Sequence, residues 1–434
     1  MTTVKTEEGF KRVIGVTGLA ITIVSFTIGA GIFALPAIVG LQIGAFGIFV
    51  YLFCGMMLAA IMLCYAEIGS RVTSTGGSYA YVEAAFGRFA GFIINWLFVL
   101  GWSVLGDAAL MNIIADSLSV VFPVFLNTWL RAALFFVLLA LMVMVNIRGA
   151  KQGVSFVKFI TIIKLLPLFG IIIFGFSQVN SSNLHWEHLP PVKTFGNTAL
   201  VLFFAFAGFE SALSVSGEIK NPARTVPLGI LLGGILVIVI YLLLFVITQG
   251  VLGSQMETYR DAPLAAVAEK IIGEVGATIL LITAAISCFG AVSGDVLNTP
   301  RVLFAGAKNR LFPPFLGKVH PKFATPHLAI ISFAGLIFIF CISGGFKQLA
   351  VLASAAILLV YLAVILATIK LRFKNAGAAK TFRIPGGLTI PIIGVASIIW
   401  LLTSLSKWEF LSTLIFLSVV CVIYFIMKRF QKIK

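Results

Sequence analysis

The feature that most restricts the fold of this chain is its succession of long apolar segments. A helix that crosses a lipid bilayer needs roughly 20 mainly apolar residues. Only 11% of the residues are charged, against about 25% in soluble domains. The sequence therefore predicts an all-α polytopic membrane protein in which residues 1–434 form one domain. Twelve candidate transmembrane helices fall at roughly 14–39, 43–65, 88–118, 130–147, 154–176, 196–217, 228–252, 276–304, 327–342, 347–369, 388–405 and 409–427.

The first apolar segment is interrupted near its centre by Gly29-Ala30-Gly31. A glycine costs about 1 kcal/mol in a helix interior, and unpaired backbone groups exposed to lipid cost several kcal/mol each. A break here is tolerable only where it is buried in protein or faces a watery cavity. We expect an unwound substrate site near the middle of the membrane.

A second interruption, at Phe206 to Phe209, lies in the sixth segment and is followed by Glu210. The first and sixth segments are five apart and run in opposite directions. Broken helices at matching places are typical of transporters built from inverted repeats. We predict a five-plus-five arrangement with repeats at about 14–177 and 194–369 and two extra helices within about 388–427.

The basic residues are distributed unevenly between the two sides of the predicted membrane. With the N-terminus inside, most of the 31 lysines and arginines flank the cytoplasmic ends of the segments. This is the positive-inside pattern, so both termini are expected in the cytoplasm. The net charge of +16 is therefore a topology signal, and no nucleic-acid partner is expected.

Four ionisable residues fall inside predicted spans, where each is a functional hypothesis because its insertion is costly. Lys164 lies roughly 15 Å from its helix end, too deep to reach the interface. It either pairs with a buried carboxylate for structure or loses its proton when its surroundings change. Glu210 either caps the second break or acts as a protonatable gate. Asp107 and Asp295 either form hydrogen-bonded pairs or face a cationic substrate.

The chain offers little for metal, cofactor or enzyme chemistry. Its five cysteines lie in apolar segments without CxxC spacing. His185 and His188 sit in a short loop without further ligands nearby. No nucleophile–base set or metal-ligand cluster lies at one membrane face. We therefore expect no metal, no cofactor and no enzymatic activity.

Several short motifs, occurring in order along nearly the whole chain, resemble the amino acid–polyamine–organocation (APC) transporters. Each is weak alone, but together they are specific to that superfamily. They are Gly29-Ala30-Gly31-Ile32-Phe33, Ala66-Glu67-Ile68-Gly69-Ser70-Arg71, Gly76-Gly77-Ser78-Tyr79-Ala80-Tyr81, Gly208-Phe209-Glu210, Glu218-Ile219-Lys220-Asn221-Pro222, Arg301-Val302-Leu303-Phe304-Ala305 and Leu311-Phe312-Pro313-Pro314.

The resemblance implies a LeuT-type fold of ten core helices plus two, working by alternating access. It implies that the substrate α-carboxylate meets backbone N–H groups at Ala30, Gly31 and Ile32. The α-ammonium then meets carbonyls of Thr27, Phe204 and Ala207. Helix N-termini attract anions and C-terminal carbonyls attract cations, which agrees with this arrangement. The implied substrate-binding residues are Thr27, Ile28, Ala30, Gly31, Ile32, Phe204, Ala205 and Ala207, with Asp107 and Asp295 at the side-chain end.

The resemblance also suggests how transport is coupled. Lys164 resembles the fifth-helix lysine that stands in for a coupling sodium ion in proton-dependent relatives, and Glu210 matches a proposed proton sensor. Phe204 falls where related antiporters place a gating tryptophan. Asp295 replaces a substrate-facing tryptophan, so a carboxylate there favours cationic substrates unless Lys164 or a proton neutralises it.

These observations together predict a sodium-independent secondary transporter of L-amino acids, coupled to protons or to exchange, with a possible preference for cationic amino acids. We expect a multi-pass protein of the cell membrane, namely the inner membrane of a bacterium. It is expected to act as a monomer or homodimer in the lipid bilayer. The closest alternative is a polyamine exchanger of the same family, which needs no carboxylate site. An ion channel is a weaker alternative, because the polar groups cluster at two breaks and do not line a continuous pore.

Overall fold

The computed structural model describes residues 14–29, 31–72, 77–148, 153–186, 188–213, 219–308, 311–374 and 382–430. Within these ranges the chain is almost entirely helical and contains no β-strand. Ile14 and Ile219 form an isolated parallel bridge, in which the N–H of Lys220 donates to the carbonyl of Ile14 at 2.9 Å. The predicted all-helical class is confirmed. Ala30 lies outside the described residues.

Sixteen helices follow one another along the described chain. Eight π-helical residues, Leu97–Val104, join α5 to α6 without a break, and a 3₁₀ turn, Phe209–Leu213, follows α9. The helices are α1 Val16–Thr27, α2 Gly31–Ile43, α3 Gly47–Arg71, α4 Ser78–Phe86, α5 Arg88–Trp96, α6 Leu105–Val121, α7 Thr128–Arg148, α8 Gly153–Gly175, α9 Val192–Phe206, α10 Pro222–Leu252, α11 Pro263–Ile272, α12 Glu274–Lys308, α13 His327–Ser343, α14 Phe346–Lys374, α15 Thr389–Thr403 and α16 Lys407–Phe430.

In the described chain, eight helical segments are long and apolar enough to cross a membrane: Gly31–Arg71, Arg88–Val121, Thr128–Arg148, Val192–Ala212, Arg224–Glu257, Glu274–Lys308, Phe346–Lys374 and Lys407–Arg429. Four shorter apolar helical segments, Val16–Thr27, Ile163–Gln178, His327–Ser343 and Thr389–Thr403, accompany them. The polytopic membrane class predicted from the sequence therefore holds. The number of twelve spans stays a prediction.

The outer wall of the helical bundle is strongly apolar. Large hydrophobic side chains such as Trp129, Ile173 and Phe425 are exposed. Apolar patches of this extent mark surfaces that meet another apolar phase. Such a surface fits the lipid surroundings predicted from the sequence.

Helix α10 lies between α1 and α3, and glycines allow its close approach to both. A Cβ at Gly229 would lie 2.8 Å from Leu19 Cδ2, and one at Gly233 would lie 2.9 Å from Ile23 Cβ. On the other side, a Cβ at Gly234 would lie 2.6 Å from Met62 Sδ. Small residues spaced in this way let membrane helices pack backbone to backbone, where dispersion contacts hold them together.

A buried ionic cluster closes the predicted cytoplasmic end of the bundle. The Glu67 carboxylate, at the end of α3, accepts hydrogen bonds from Arg71 Nη2 at 2.7 Å and from Arg372 Nε of α14 at 2.8 Å. It also accepts from Arg372 Nη2 and, at 3.0 Å, from the N–H of Ile384. One carboxylate thus connects α3, α14 and the segment before α15.

The α1–α10 contact predicts that Gly233→Leu destabilises the bundle, because the new side chain overlaps Ile23. Overpacking of this kind costs about 1–3 kcal/mol. The apparent melting temperature of the detergent-purified variant, followed by size-exclusion chromatography, should fall by several degrees.

Gly170→Leu is the matched control, since a Cβ at Gly170 of α8 meets no heavy atom within 4 Å. Equal melting temperatures for the two leucine variants would contradict the packing described here.

Candidate functional site

A cavity of about 100 Å³ lies between the end of α1, the start of α2, the end of α9 and helices α6, α8 and α12. Most of the predicted site residues line it: Thr27, Gly31, Asp107, Lys164, Phe204, Ala205, Ala207 and Asp295. Ile28, Ile32 and Glu210 are buried beside the cavity without lining it.

The first helix interruption forms one wall of this cavity. Helix α1 ends at Thr27, Ile28 leaves the helical conformation with ψ 78°, and the Gly29 N–H donates to the Thr27 carbonyl at 2.7 Å. Helix α2 then begins at Gly31. The first N–H groups of a helix have no partner within it, so the start of α2 presents donors where an anion is favoured.

The second interruption lies directly against the first. Helix α9 ends at Phe206, Ala207 is extended, and Gly208 has φ +113°. A Cβ at Gly208 would lie 2.8 Å from the carbonyl oxygen of Phe26, and one at Gly31 would lie 3.2 Å from Ala205 Cβ. Glycine is therefore required where the two backbones meet, both for its conformation and for its size.

Tyr241 of α10 links the two interruptions. Its hydroxyl lies 2.8 Å from the carbonyl oxygen of Thr27 and 2.9 Å from that of Ala205, and it shares its single hydrogen between them. The Thr27 carbonyl thus already accepts from Tyr241 and from the Gly29 N–H. The Thr27 hydroxyl, by contrast, is buried without a hydrogen-bond partner. Sequence reasoning did not select Tyr241, although a buried hydroxyl in so apolar a helix needs a partner.

Lys164 holds the first interruption from α8. Its Nζ donates to the carbonyl of Ser25 at 2.6 Å, and the side chain is buried. None of the ion pairs found in the described ranges includes Lys164. In the described ranges, Lys164 therefore does not form the structural pair with a carboxylate that was one of its two alternatives. The ammonium instead neutralises the carbonyl end of α1.

Glu210 fixes the turn after the second interruption. Its Oε2 accepts from the Gly208 N–H at 3.0 Å and from the hydroxyl of Tyr361 of α14 at 2.5 Å. Its Oε1 is buried and has no hydrogen-bond partner among the described residues. The carboxyl group therefore caps the turn through Oε2, while Oε1 remains available to accept a hydrogen bond. Tyr361, another residue that sequence reasoning missed, connects this cap to α14.

Two further carboxyl groups meet in the cavity. Asp107 of α6 and Asp295 of α12 both line the cavity, and their helices pack against each other. Asp107 is 2% exposed, and its Oδ2 has no hydrogen-bond partner. Both carboxyl groups therefore face the cavity, and the two alternatives for them stay predictions.

Three aromatic rings cover the cavity on the predicted outer side. The Phe204 ring packs against Trp102, with centroids 5.6 Å apart, and against Phe346, 5.7 Å away. Phe346 also lines a second cavity of about 450 Å³, together with Asp116, Arg260, Asp261 and Lys347. The three rings therefore separate the two cavities. Of the three, sequence reasoning selected only Phe204.

The described part of the chain contains no group of three or more His, Cys, Asp or Glu residues arranged to hold a metal ion. The polar residues that line the central cavity are the hydroxyl-bearing Ser25, Thr27, Ser103 and Ser211, together with Lys164, Asp107 and Asp295.

Comparison with known proteins assigns a family. A family model described as "Amino acid permease" matches residues 13–431. The chain is 28% identical over 416 residues to the serine/threonine exchanger SteT of Bacillus subtilis, covering 92% of each chain. It is 25% identical over 441 residues to the branched-chain amino acid permease BcaP of the same organism, covering 98% of this chain and 94% of BcaP.

A mammalian relative shows similar identity. The chain is 29% identical over 401 residues to the Asc-type amino acid transporter 1 of Mus musculus, covering 88% of this chain and 74% of that protein.

The bridging role of Tyr241 predicts that Tyr241→Phe loosens both interruptions, because two buried carbonyls lose a donor. An unsatisfied buried group costs about 1–3 kcal/mol. Hydrogen–deuterium exchange should therefore rise roughly 5- to 100-fold in peptides covering 26–33 and 204–211.

Tyr51→Phe provides a matched control, since the Tyr51 hydroxyl is buried nearby without a partner and its ring stacks on Phe245. If the hydrogen–deuterium exchange rates of these two peptides are the same in Tyr241→Phe and Tyr51→Phe, the bridging role of Tyr241 is contradicted.

Proposed function

This chain belongs to the amino acid permease family, and we propose that it carries L-amino acids across the cell membrane by alternating access. Several of its relatives are amino acid transporters, and its apolar helices suit a multi-pass membrane protein. We also propose the bacterial inner membrane as its location, with both termini in the cytoplasm, because the distribution of basic residues favours this orientation.

The single observation that carries the proposal is that two helix interruptions of opposite polarity face one cavity. The start of α2 presents N–H groups at Gly31 and Ile32, and the end of α9 presents the carbonyls of Phe204 and Ala207. A carboxylate is favoured at the first and an ammonium at the second. This arrangement suits a zwitterionic amino acid backbone.

Thr27 contributes to this site through its hydroxyl. Because its carbonyl accepts from Tyr241 and Gly29, the ammonium is assigned to Phe204 and Ala207. Thr27 lines the cavity, and its buried hydroxyl has no hydrogen-bond partner among the described residues. A substrate carboxylate would supply the missing acceptor.

The fold proposed is the twelve-helix LeuT type, with an inverted five-plus-five repeat and two extra helices. The support is the position of the interruptions, between α1 and α2 in the first span and after α9 in the sixth. Broken helices at corresponding places in two halves are what such a repeat requires.

We propose that transport is independent of sodium and is coupled to protons or to exchange. The Lys164 ammonium already places a positive charge on the Ser25 carbonyl, so no metal cation is needed there. Glu210, with one oxygen unused, is proposed as the second proton-coupling residue. Release of a proton from Lys164 would free the carbonyl end of α1 to move.

We propose that the part of the site that holds the substrate side chain favours cationic amino acids. Asp107 and Asp295 border the cavity and are not engaged in ion pairs in the described ranges. A side-chain ammonium would satisfy the unpartnered Asp107 Oδ2. Serine, threonine and branched-chain amino acids, named for two of the relatives, carry no such charge.

The substrate proposal predicts which ligands protect the purified protein from heat. A bound ligand raises stability by RT ln(1 + [L]/Kd). Ornithine and arginine should raise the melting temperature more than leucine does. Putrescine, which lacks the carboxylate of ornithine, should raise it much less than ornithine.

An affinity for leucine equal to that for arginine would contradict the preference for cationic amino acids, but not amino acid transport itself. Putrescine binding as tightly as ornithine would favour a polyamine exchanger. Flux that does not saturate with substrate concentration would indicate a channel.

The coupling proposal predicts that Lys164→Ala abolishes uptake driven by a pH gradient in proteoliposomes, because the proton-carrying group is gone. Uptake by the unmodified protein should be unchanged when sodium is replaced by choline. Lys193→Ala, which alters an exposed lysine at the start of α9, serves as the control. A Lys164→Ala variant whose uptake still follows the pH gradient would refute the role of this lysine.

A further inference from the structure

We infer that Asp107 and Asp295 hold one proton between them, and that a substrate side chain bearing an ammonium group displaces this proton when it binds. The inference rests on the proposed function, because this pair borders the proposed substrate site. It adds a proton-binding site that is separate from Lys164 and Glu210. This site keeps its proton when the substrate side chain is uncharged and loses it when the side chain carries an ammonium group.

The geometry of the pair requires a proton. The two side chains come from packed helices, α6 and α12, line the same cavity of about 100 Å³, and are near enough to interact with each other. An ionised carboxylate only accepts hydrogen bonds, so a bond between two carboxyl groups needs one of them protonated. Two carboxylates this close, removed from water, do not both stay ionised.

The surrounding groups do not supply an alternative counter-ion in the described structure. Lys164 from α8 borders the same cavity, but its Nζ is directed to the Ser25 carbonyl. Glu210, from the turn after α9, is a third carboxyl group and is buried beside the cavity. Cys288 of α12 is also buried and is not a cation. The nearest groups therefore favour a proton on the pair.

The charge in the cavity then depends on the substrate. A zwitterionic amino acid with an uncharged side chain brings no net charge, so the proton stays. An ammonium side chain brings one positive charge and can donate to both carboxylates. The O–H bond of the pair breaks, the proton leaves to water, and the ammonium N–H groups take its place. The occupied site carries the same net charge in both cases, which avoids burying an uncompensated charge.

The test compares two amino acids that differ by the side-chain ammonium, ornithine and norvaline. Binding to the detergent-purified full chain is measured by isothermal titration calorimetry at one pH in buffers of different ionisation enthalpy, which reports the protons released. We expect up to about one proton released per ornithine bound and none per norvaline.

Two variants assign the proton to the pair. In Asp295→Asn and in Asp107→Asn an amide donates to the remaining carboxylate, so no shared proton is needed. Ornithine binding should then release none, while norvaline binding shows that the variant is folded. Glu274→Gln, at an exposed position at the start of α12, should behave as the unmodified protein.

Each result decides a different statement. Three results would overturn the shared proton and leave amino acid binding intact. They are equal proton release for ornithine and norvaline, proton release that persists in both asparagine variants, and binding of norvaline without binding of ornithine. Binding of neither amino acid to the unmodified protein would overturn the proposed function together with this inference.

Discussion

The structure depends on one constraint: backbone polar groups that leave a helix inside a membrane must find partners within the protein. Each unpaired group costs several kcal/mol in an apolar medium. The two interruptions meet this constraint together. Tyr241 donates to a carbonyl of each, Lys164 donates to Ser25, and Glu210 accepts the Gly208 N–H. The groups that remain, at the start of α2 and the end of α9, are those available to a substrate.

The cavity beside the two interruptions is small and is lined by two carboxyl groups, Asp107 and Asp295. The cavity of about 100 Å³ is smaller than the roughly 300–1,000 Å³ of pockets for drug-sized ligands. Its roof is the ring cluster of Trp102, Phe204 and Phe346, and the Glu67 cluster lies at the predicted cytoplasmic end. In the alternating access that we propose, passage to the outer side would require the ring cluster to separate.

The sequence predicted the interruptions and the intramembrane charges, because glycine and ionisable residues are costly in a lipid-spanning helix wherever they occur. It did not predict their partners. Tyr241 and Tyr361 are single tyrosines within apolar helices, and they act on residues far away in the chain. The π-helical stretch that carries Trp102 to the cavity has no distinct apolar pattern. The placement of Asp107 and Asp295 at one cavity depends on the rotation of two helices, which the sequence alone does not define.

The most direct test of this account is a structure of the protein with an amino acid bound, determined by cryo-electron microscopy or crystallography. We expect the substrate carboxylate within about 3.2 Å of the N–H groups of Gly31 and Ile32. Its α-ammonium should lie at the same distance from the carbonyls of Phe204 and Ala207. An amino acid found only in the second cavity, beside Asp116 and Lys347, or bound centrally without contact to either interruption, would contradict the claim that paired helix breaks form the site.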